Sequence, residues 1–204
     1  MLIVVIILIL PYSELSGNSR VNLDYWYSNQ TNPRIIGFVL SPVIYRQNYN
    51  AAFDFWGTTW DAILEWHSVE GIHLNSFTGI KSNASTEMYA GTRHRLQLEG
   101  FNVGQNDAGL FIPVDIEFHA YYSYNGNTVH VFRYIKTKLC IVDRGASYAQ
   151  NRTTATHELG HALGWRGHMP WPYSWHVMYG TVHSSYSLKT REINHIKQIY
   201  NVIP

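Results

Sequence analysis

The chain has 204 residues, 46% of them hydrophobic, which is enough for one well-buried domain and too little for two large ones. Fifteen Lys and Arg against 14 Asp and Glu leave a net charge of +1, and no basic run occurs, which argues against an electrostatic footprint for nucleic acid or an anionic membrane. A single cysteine, Cys140, excludes an intramolecular disulfide and a thiolate-rich metal cage.

Residues 1–10 are almost wholly aliphatic and are followed by Pro11, Ser13, Ser16 and Gly17. That run is too short to span a bilayer but matches the hydrophobic region of a secretory signal, so export is expected, with residues 1–17 as the signal peptide. The alternative is a buried N-terminal strand. Residues 18–34 are polar, contain Asn-Pro and read as an irregular leader or short pro-segment, which leaves 35–204 as the domain.

Residues 35–40 form the first convincing strand. Tyr49, Ala52, Phe53, Trp56, Trp60, Ile63 and Leu64 then recur at helical spacing, which predicts a helix from near Asn48 with this face on a sheet and Gly57 as an interruption. From 73 to 100 the pattern shortens to strand-like runs, best at 87–90, broken by polar turns such as 81–85. After a Gly- and Asn-rich stretch, Val114, Ile116, Phe118 and Ala120 alternate with Asp115, Glu117 and His119, a strand pattern. Asn125-Gly126 is a hairpin signal leading to a partner strand at 129–134, and these runs build one twisted sheet. Cys140, within the apolar run 139–142, reads as a buried small hydrophobe.

Residues 143–150 are a polar loop in which Ser147, or Asn151 just beyond it, can cap a helix whose apolar contacts come from Ala155, Leu159, Ala162 and Leu163. That helix carries His157-Glu158-Leu159-Gly160-His161, followed by Gly164 and His168. On a helix His157 and His161 stand one turn apart on one face, where both imidazoles can reach a single ion. Gly164 can take the left-handed conformation that ends a helix and turns the chain, bringing His168 back as a third ligand. Three neutral nitrogens leave one tetrahedral position open, as in a catalytic zinc site, and Glu158 is placed to take a proton from the water there.

The spacing H-E-x-x-H-x-x-G-x-x-H resembles the signature of the metzincin metalloproteases, which also carry a downstream methionine turn beneath the zinc. Ser174-Trp175-His176-Val177-Met178-Tyr179-Gly180 resembles that turn, with Met178 as the methionine. The Met-Tyr pair is closest to the matrixin branch, although matrixins usually have proline where this chain has Gly180. Residues 188–200 look like the C-terminal matrixin helix, with Arg191 in place of the first of two acidic residues. Motif-level similarity covers residues 150–200.

The resemblance implies an α+β, zincin-like catalytic domain: a twisted mixed β-sheet with a backing helix, an active-site helix and a C-terminal helix. It implies a secreted zinc-dependent endopeptidase, with zinc on His157, His161 and His168 and Glu158 as general base. It further implies apolar support from Met178, a pocket wall at residues 179–186, and a cleft-lining edge strand within 100–120 to which a peptide substrate adds. Matrixin zymogens usually cap the zinc with a pro-segment cysteine; none lies upstream here, and Asp24 is a weaker substitute. Expected partners are a protein or peptide substrate, with no nucleic acid, no stable membrane association and a monomeric state. Matrixins often bind structural zinc or calcium, for which Asp115, Glu117, His119 and His130 are the nearest donors, although their spacing favours a solvated strand face.

His67, His73, His94, His183 and His195 read as surface or partly packed residues, and His176 as a side chain supporting the site. Trp165, Trp171 and Trp175 read either as cleft-rim residues or as tryptophans of a packed loop, and Asn29, Asn83 and Asn151 head N-x-Ser/Thr sequons. Two rival functions are a catalytically silent metzincin-like binding protein and a zinc hydrolase acting on other substrates.

Overall fold

Five strands lie side by side in the order β3 (Ser76–Phe77), β2 (Val43–Tyr49), β4 (Thr86–Gly91), β6 (Asn127–Val142), β5 (Gly109–Tyr124). A sixth, β1 (Arg34–Phe38), runs parallel to the first half of β6, on the same side that β4 occupies along its second half. Among the described residues all pairings are parallel except β5 with β6, an antiparallel pair that leaves β5 as an edge strand. The structure is a computed structural model describing residues 34–39, 42–74, 76–124, 127–165, 168, 174–181, 184 and 187–202.

Four α-helices lie among the described residues: α1 (Phe55–His67), α2 (Arg93–Leu98), α3 (Tyr148–Ala162) and α4 (Thr190–Val202). One apolar cluster joins Phe55, Ile63 and Trp66 of α1 and Ala155 and Leu159 of α3 to Ile44, Met88, Leu139 and Ile141 of the sheet. A second, around Tyr89, Leu96, Phe101, Val103 and Cys140, covers the other face. β4 is buried at every position because it lies between these two layers, so its run shows no polar alternation. The class is the expected one, α+β with a mixed sheet. Among the described residues no helix is long and apolar enough to cross a membrane.

The expected first strand is present as β1, which begins at Arg34, the last residue of the expected leader, and ends at Phe38. The helix expected from Asn48 is corrected. Asn48 and Tyr49 end a strand, Asn50 turns the chain at φ 60°, and the helix starts at Phe55 because Asp54 caps it through Gly57 N–H at 3.0 Å. Its buried face is Phe55, Thr58, Thr59, Ala62, Ile63 and Trp66, while Trp56, Trp60 and Leu64, assigned to the core from periodicity, are exposed. Gly57 does not interrupt the helix. The hairpin strands are much longer than expected, and residues on both sides of β5 are exposed. The signal, the leader and the Asn125-Gly126 turn lie outside the described residues, as do Trp171, His183 and Asn29.

Candidate metal centre

α3 begins at a capping box: Ser147 accepts the Gln150 N–H and the Gln150 side chain accepts the Ser147 N–H. Of the two caps considered, Ser147 is the one used. Asn151 is instead buried in the first turn with its amide on the Ala146 carbonyl, so its sequon is not on the surface. Thr153, Thr154 and Thr156 send their hydroxyls to the carbonyls four residues earlier, which lets a nearly buried helix carry β-branched polar residues.

The helix ends as Gly164 allows. Gly164 has φ 114°, its N–H reaches the His161 carbonyl at 3.2 Å, and Trp165 N–H reaches the Gly160 carbonyl at 2.9 Å. These are the two bonds of a Schellman motif. The reversed chain brings the Trp165 carbonyl onto Nδ1 of His161 at 2.7 Å, and the Val177 carbonyl meets Nδ1 of His157 at 2.7 Å.

Carbonyl oxygens only accept, so both Nδ1 atoms carry the proton and both Nε2 atoms present lone pairs. Those two Nε2 atoms lie 3.0 Å apart. Two acceptors at that distance need a cation between them, and tetrahedral zinc at 2.0–2.1 Å from each nitrogen would set them roughly 3.3 Å apart. His168 completes the group: one ligand atom from each of the three histidines lies within 4.8 Å of the others. Its ring stacks on that of His157, at 5.0 Å and 23°, and its Cγ would lie 3.1 Å from a Cβ on Gly180. The donor set fits a zinc ion. Burial pulls His161 down to about 4 and also lowers His168, so these two imidazoles are neutral, as ligation requires, at physiological pH.

Glu158, buried on the same helix, packs against the start of β5. A Cβ on Gly109 would fall 2.6 Å from its Oε1, so the glycine is what lets the carboxylate lie on the strand. Burial, with Asp107 nearby as a smaller cause, pushes its carboxyl up to about 8. Phe111 of β5 places its ring 6.1 Å from that of His161.

Met178 is fully buried beneath the helix, its Sδ 2.6 Å from where a Gly160 Cβ would stand. Glu192 of α4, also fully buried, accepts from Met178 N–H at 2.7 Å and Lys189 N–H at 2.8 Å. His176 lies beside it, Nδ1 to Oε2 3.4 Å.

Several expectations are corrected. His195 is fully buried, with its ring 4.0 Å from that of Trp165. Trp165 is therefore core and not rim, whereas Trp175 is exposed. As their spacing favoured, Asp115, Glu117, His119 and His130 do not gather: Glu117 pairs with Arg133, His130 packs on Tyr121, and His119 packs on Phe38. Among the described residues the three histidines are the only group that could hold a metal. Gly109 and Phe111 were missed, since neither belongs to a motif and their roles come from strand register, while Glu192 falls within the stretch that resembles the matrixin C-terminal helix but its contact with the Met178 N–H is a tertiary one. No protein-family model matches the sequence, and comparison with curated proteins gave no match.

Proposed function

We propose that the chain is a zinc-dependent endopeptidase of the metzincin type, closest to the matrixins. The observation that carries the reading is the pair of Nε2 lone pairs held face to face by backbone carbonyls, with His168 alongside. A zinc ion on His157, His161 and His168 would lower the pKa of a bound water towards about 7 and polarise a substrate carbonyl.

Glu158 would accept the proton of the attacking water and pass it to the leaving amine, a role suited to a carboxylate with raised proton affinity. An extended peptide would add to the open edge of β5, whose first residue, Gly109, lies against Glu158. Met178 supports the ligands and binds nothing. Export is part of the proposal and rests on the aliphatic run at residues 1–10.

The test is cleavage of a mixed peptide library by purified protein, with and without chelator, beside the Glu158→Ala variant. Chelator-sensitive cleavage is expected for the parent. The variant should hold stoichiometric zinc yet lose at least about a hundredfold in rate. Undiminished turnover by Glu158→Ala would refute the base, and protein that takes up no zinc would refute the site.

A further inference from the structure

Among the described residues the sheet has a second open edge, on the side opposite the metal centre. β3 meets β2 at only two positions, Val43 with Ser76 and Ile44 with Phe77, and the chain leaves the sheet after Thr78 N–H bonds to the Ile44 carbonyl. Residues 45–49 of β2 pair with β4 on one side and, among the described residues, with no strand on the other.

In a parallel ladder alternate residues turn their N–H and C=O groups to opposite neighbours. The Val43 carbonyl is taken on the β4 side by Ser85 and the Ile44 carbonyl on the β3 side by Thr78, so Arg46 and Asn48 present their backbone groups to the open edge. The Asn48 carbonyl accepts Gln47 Nε2 at 3.1 Å. Neither a proline nor a lysine guards the segment, although exposed edges are commonly blunted in those ways.

A groove of about 450 Å³ runs along this edge, lined by residues 44–47, Trp56 and residues 77–79. Its aromatic walls are open to solvent, Trp56 at 51% and Phe77 at 40% exposure. The Arg46 guanidinium lies between them, 5.0 Å from the Trp56 ring and 5.1 Å from Phe77. Nη1 donates to the Trp56 carbonyl and Thr59 Oγ1, both at 3.2 Å, and no acidic side chain pairs with the cation among the described residues. Burial lowers its pKa, as expected of a cation partly stripped of water and lacking a counter-ion.

We propose that this edge is a docking groove for an extended peptide segment of a partner protein, which adds as a strand beside residues 45–49 and sets a Glu or Asp side chain on Arg46. Apolar residues two positions before and after that carboxylate, on the same face of the strand, lie against Trp56 and Phe77. The open ladder favours a peptide over a glycan, which could stack on the aromatic rings but has no use for a row of backbone donors and acceptors. The planar guanidinium, already stacked on aromatic faces, favours a carboxylate. Four strand spacings separate this groove from β5, roughly 19 Å, so a segment bound here leaves the metal-side edge open.

Fluorescence anisotropy of a labelled, end-blocked peptide Val-Thr-Glu-Thr-Val-Thr against the full chain tests this, beside its Gln counterpart, a form N-methylated at alternate residues, and chitohexaose. The Glu peptide should bind. Arg46→Gln and the Gln peptide should each weaken binding by about tenfold or more, while the Gln peptide is indifferent to Arg46→Gln. The N-methylated peptide should not bind, and that arm needs no variant. Binding that ignores both the carboxylate and Arg46, or survives N-methylation, overturns the proposal. So does the absence of Glu-peptide binding, with or without binding of chitohexaose.

Discussion

The sulfur of Met178 occupies the space in front of Gly160, 2.6 Å from where a β-carbon on that glycine would lie. Gly160 sits on α3 between His157 and His161, so the loop that supplies the methionine packs directly on helix backbone beneath the ligand pair. One residue before the methionine, the Val177 carbonyl fixes the His157 ring at 2.7 Å. The floor of the site and the orientation of one ligand are therefore set by the same short segment.

Gly160→Ala tests that packing. In an exposed helix the change would stabilise by up to about 1 kcal/mol. Here the new methyl also meets Trp66 Cζ2 at 2.8 Å, and overpacking of a filled core costs about 1–3 kcal/mol. We expect net destabilisation in urea unfolding of the metal-free protein and weaker zinc binding, because relief requires Met178 or Trp66 to move. A variant more stable than the parent would show that the contact is loose.

Glu192 joins α4 to the same segment. Removing its carboxylate in Glu192→Ala strips the acceptors from Met178 N–H and Lys189 N–H, at about 1–3 kcal/mol for each donor left buried and unsatisfied. Glu192→Gln keeps one good acceptor and should lose less. If the acid positions the turn as well as stabilising the fold, zinc affinity falls in Ala more than in Gln. Equal zinc affinity in the parent and both variants would confine Glu192 to the fold.

The centre was legible in the sequence because it is mostly local. His157, His161, Gly164 and His168 are placed by helix pitch and one left-handed turn, and both are properties of residue type and spacing. What the sequence hid is non-local. Trp56, Trp60 and Leu64 have the spacing of a buried face but lie outward, since the Asp54 cap sets where the helix begins. β2 was missed because its residues are mixed in polarity, whereas β4, covered on both faces and without alternation, is legible at 87–90 as a short apolar run. Gly109 and Glu192 gain their roles only when β5 and α4 close on α3.

Acid should release the metal late. A ligand histidine binds zinc only when neutral, and burial lowers the proton affinity of His161, to about 4, and of His168. Protons therefore compete at His161 only towards pH 4, and at His168 below its ordinary value of 6.5. Dialysis of zinc-loaded protein at stepped pH, with metal counted by atomic absorption, should show retention at pH 6 and loss towards pH 4. Release centred at or above pH 6.5 would mean that the imidazoles are solvated.

Without metal, Glu158 makes stability fall as the pH rises. Its folded-state carboxyl holds a proton up to about 8, against an ordinary value of 4.5, so between these limits the folded chain binds one proton more than the unfolded chain. The stabilisation is complete below 4.5 and is lost as the pH climbs through 8. His161 acts in the opposite sense: neutral down to about 4 when folded and protonated below 6.5 when unfolded, it raises stability with pH from 4 to 6.5. The two slopes oppose each other below 6.5, and between 6.5 and 8 the Glu158 slope remains. Urea midpoints of chelated protein should therefore decline from pH 6.5 to 8, and Glu158→Gln, with nothing to ionise, should flatten that decline. Zinc should flatten it too, because a cation beside the carboxylate favours its charged form. A chelated parent with constant stability across that window would place Glu158 in contact with water and not against Gly109.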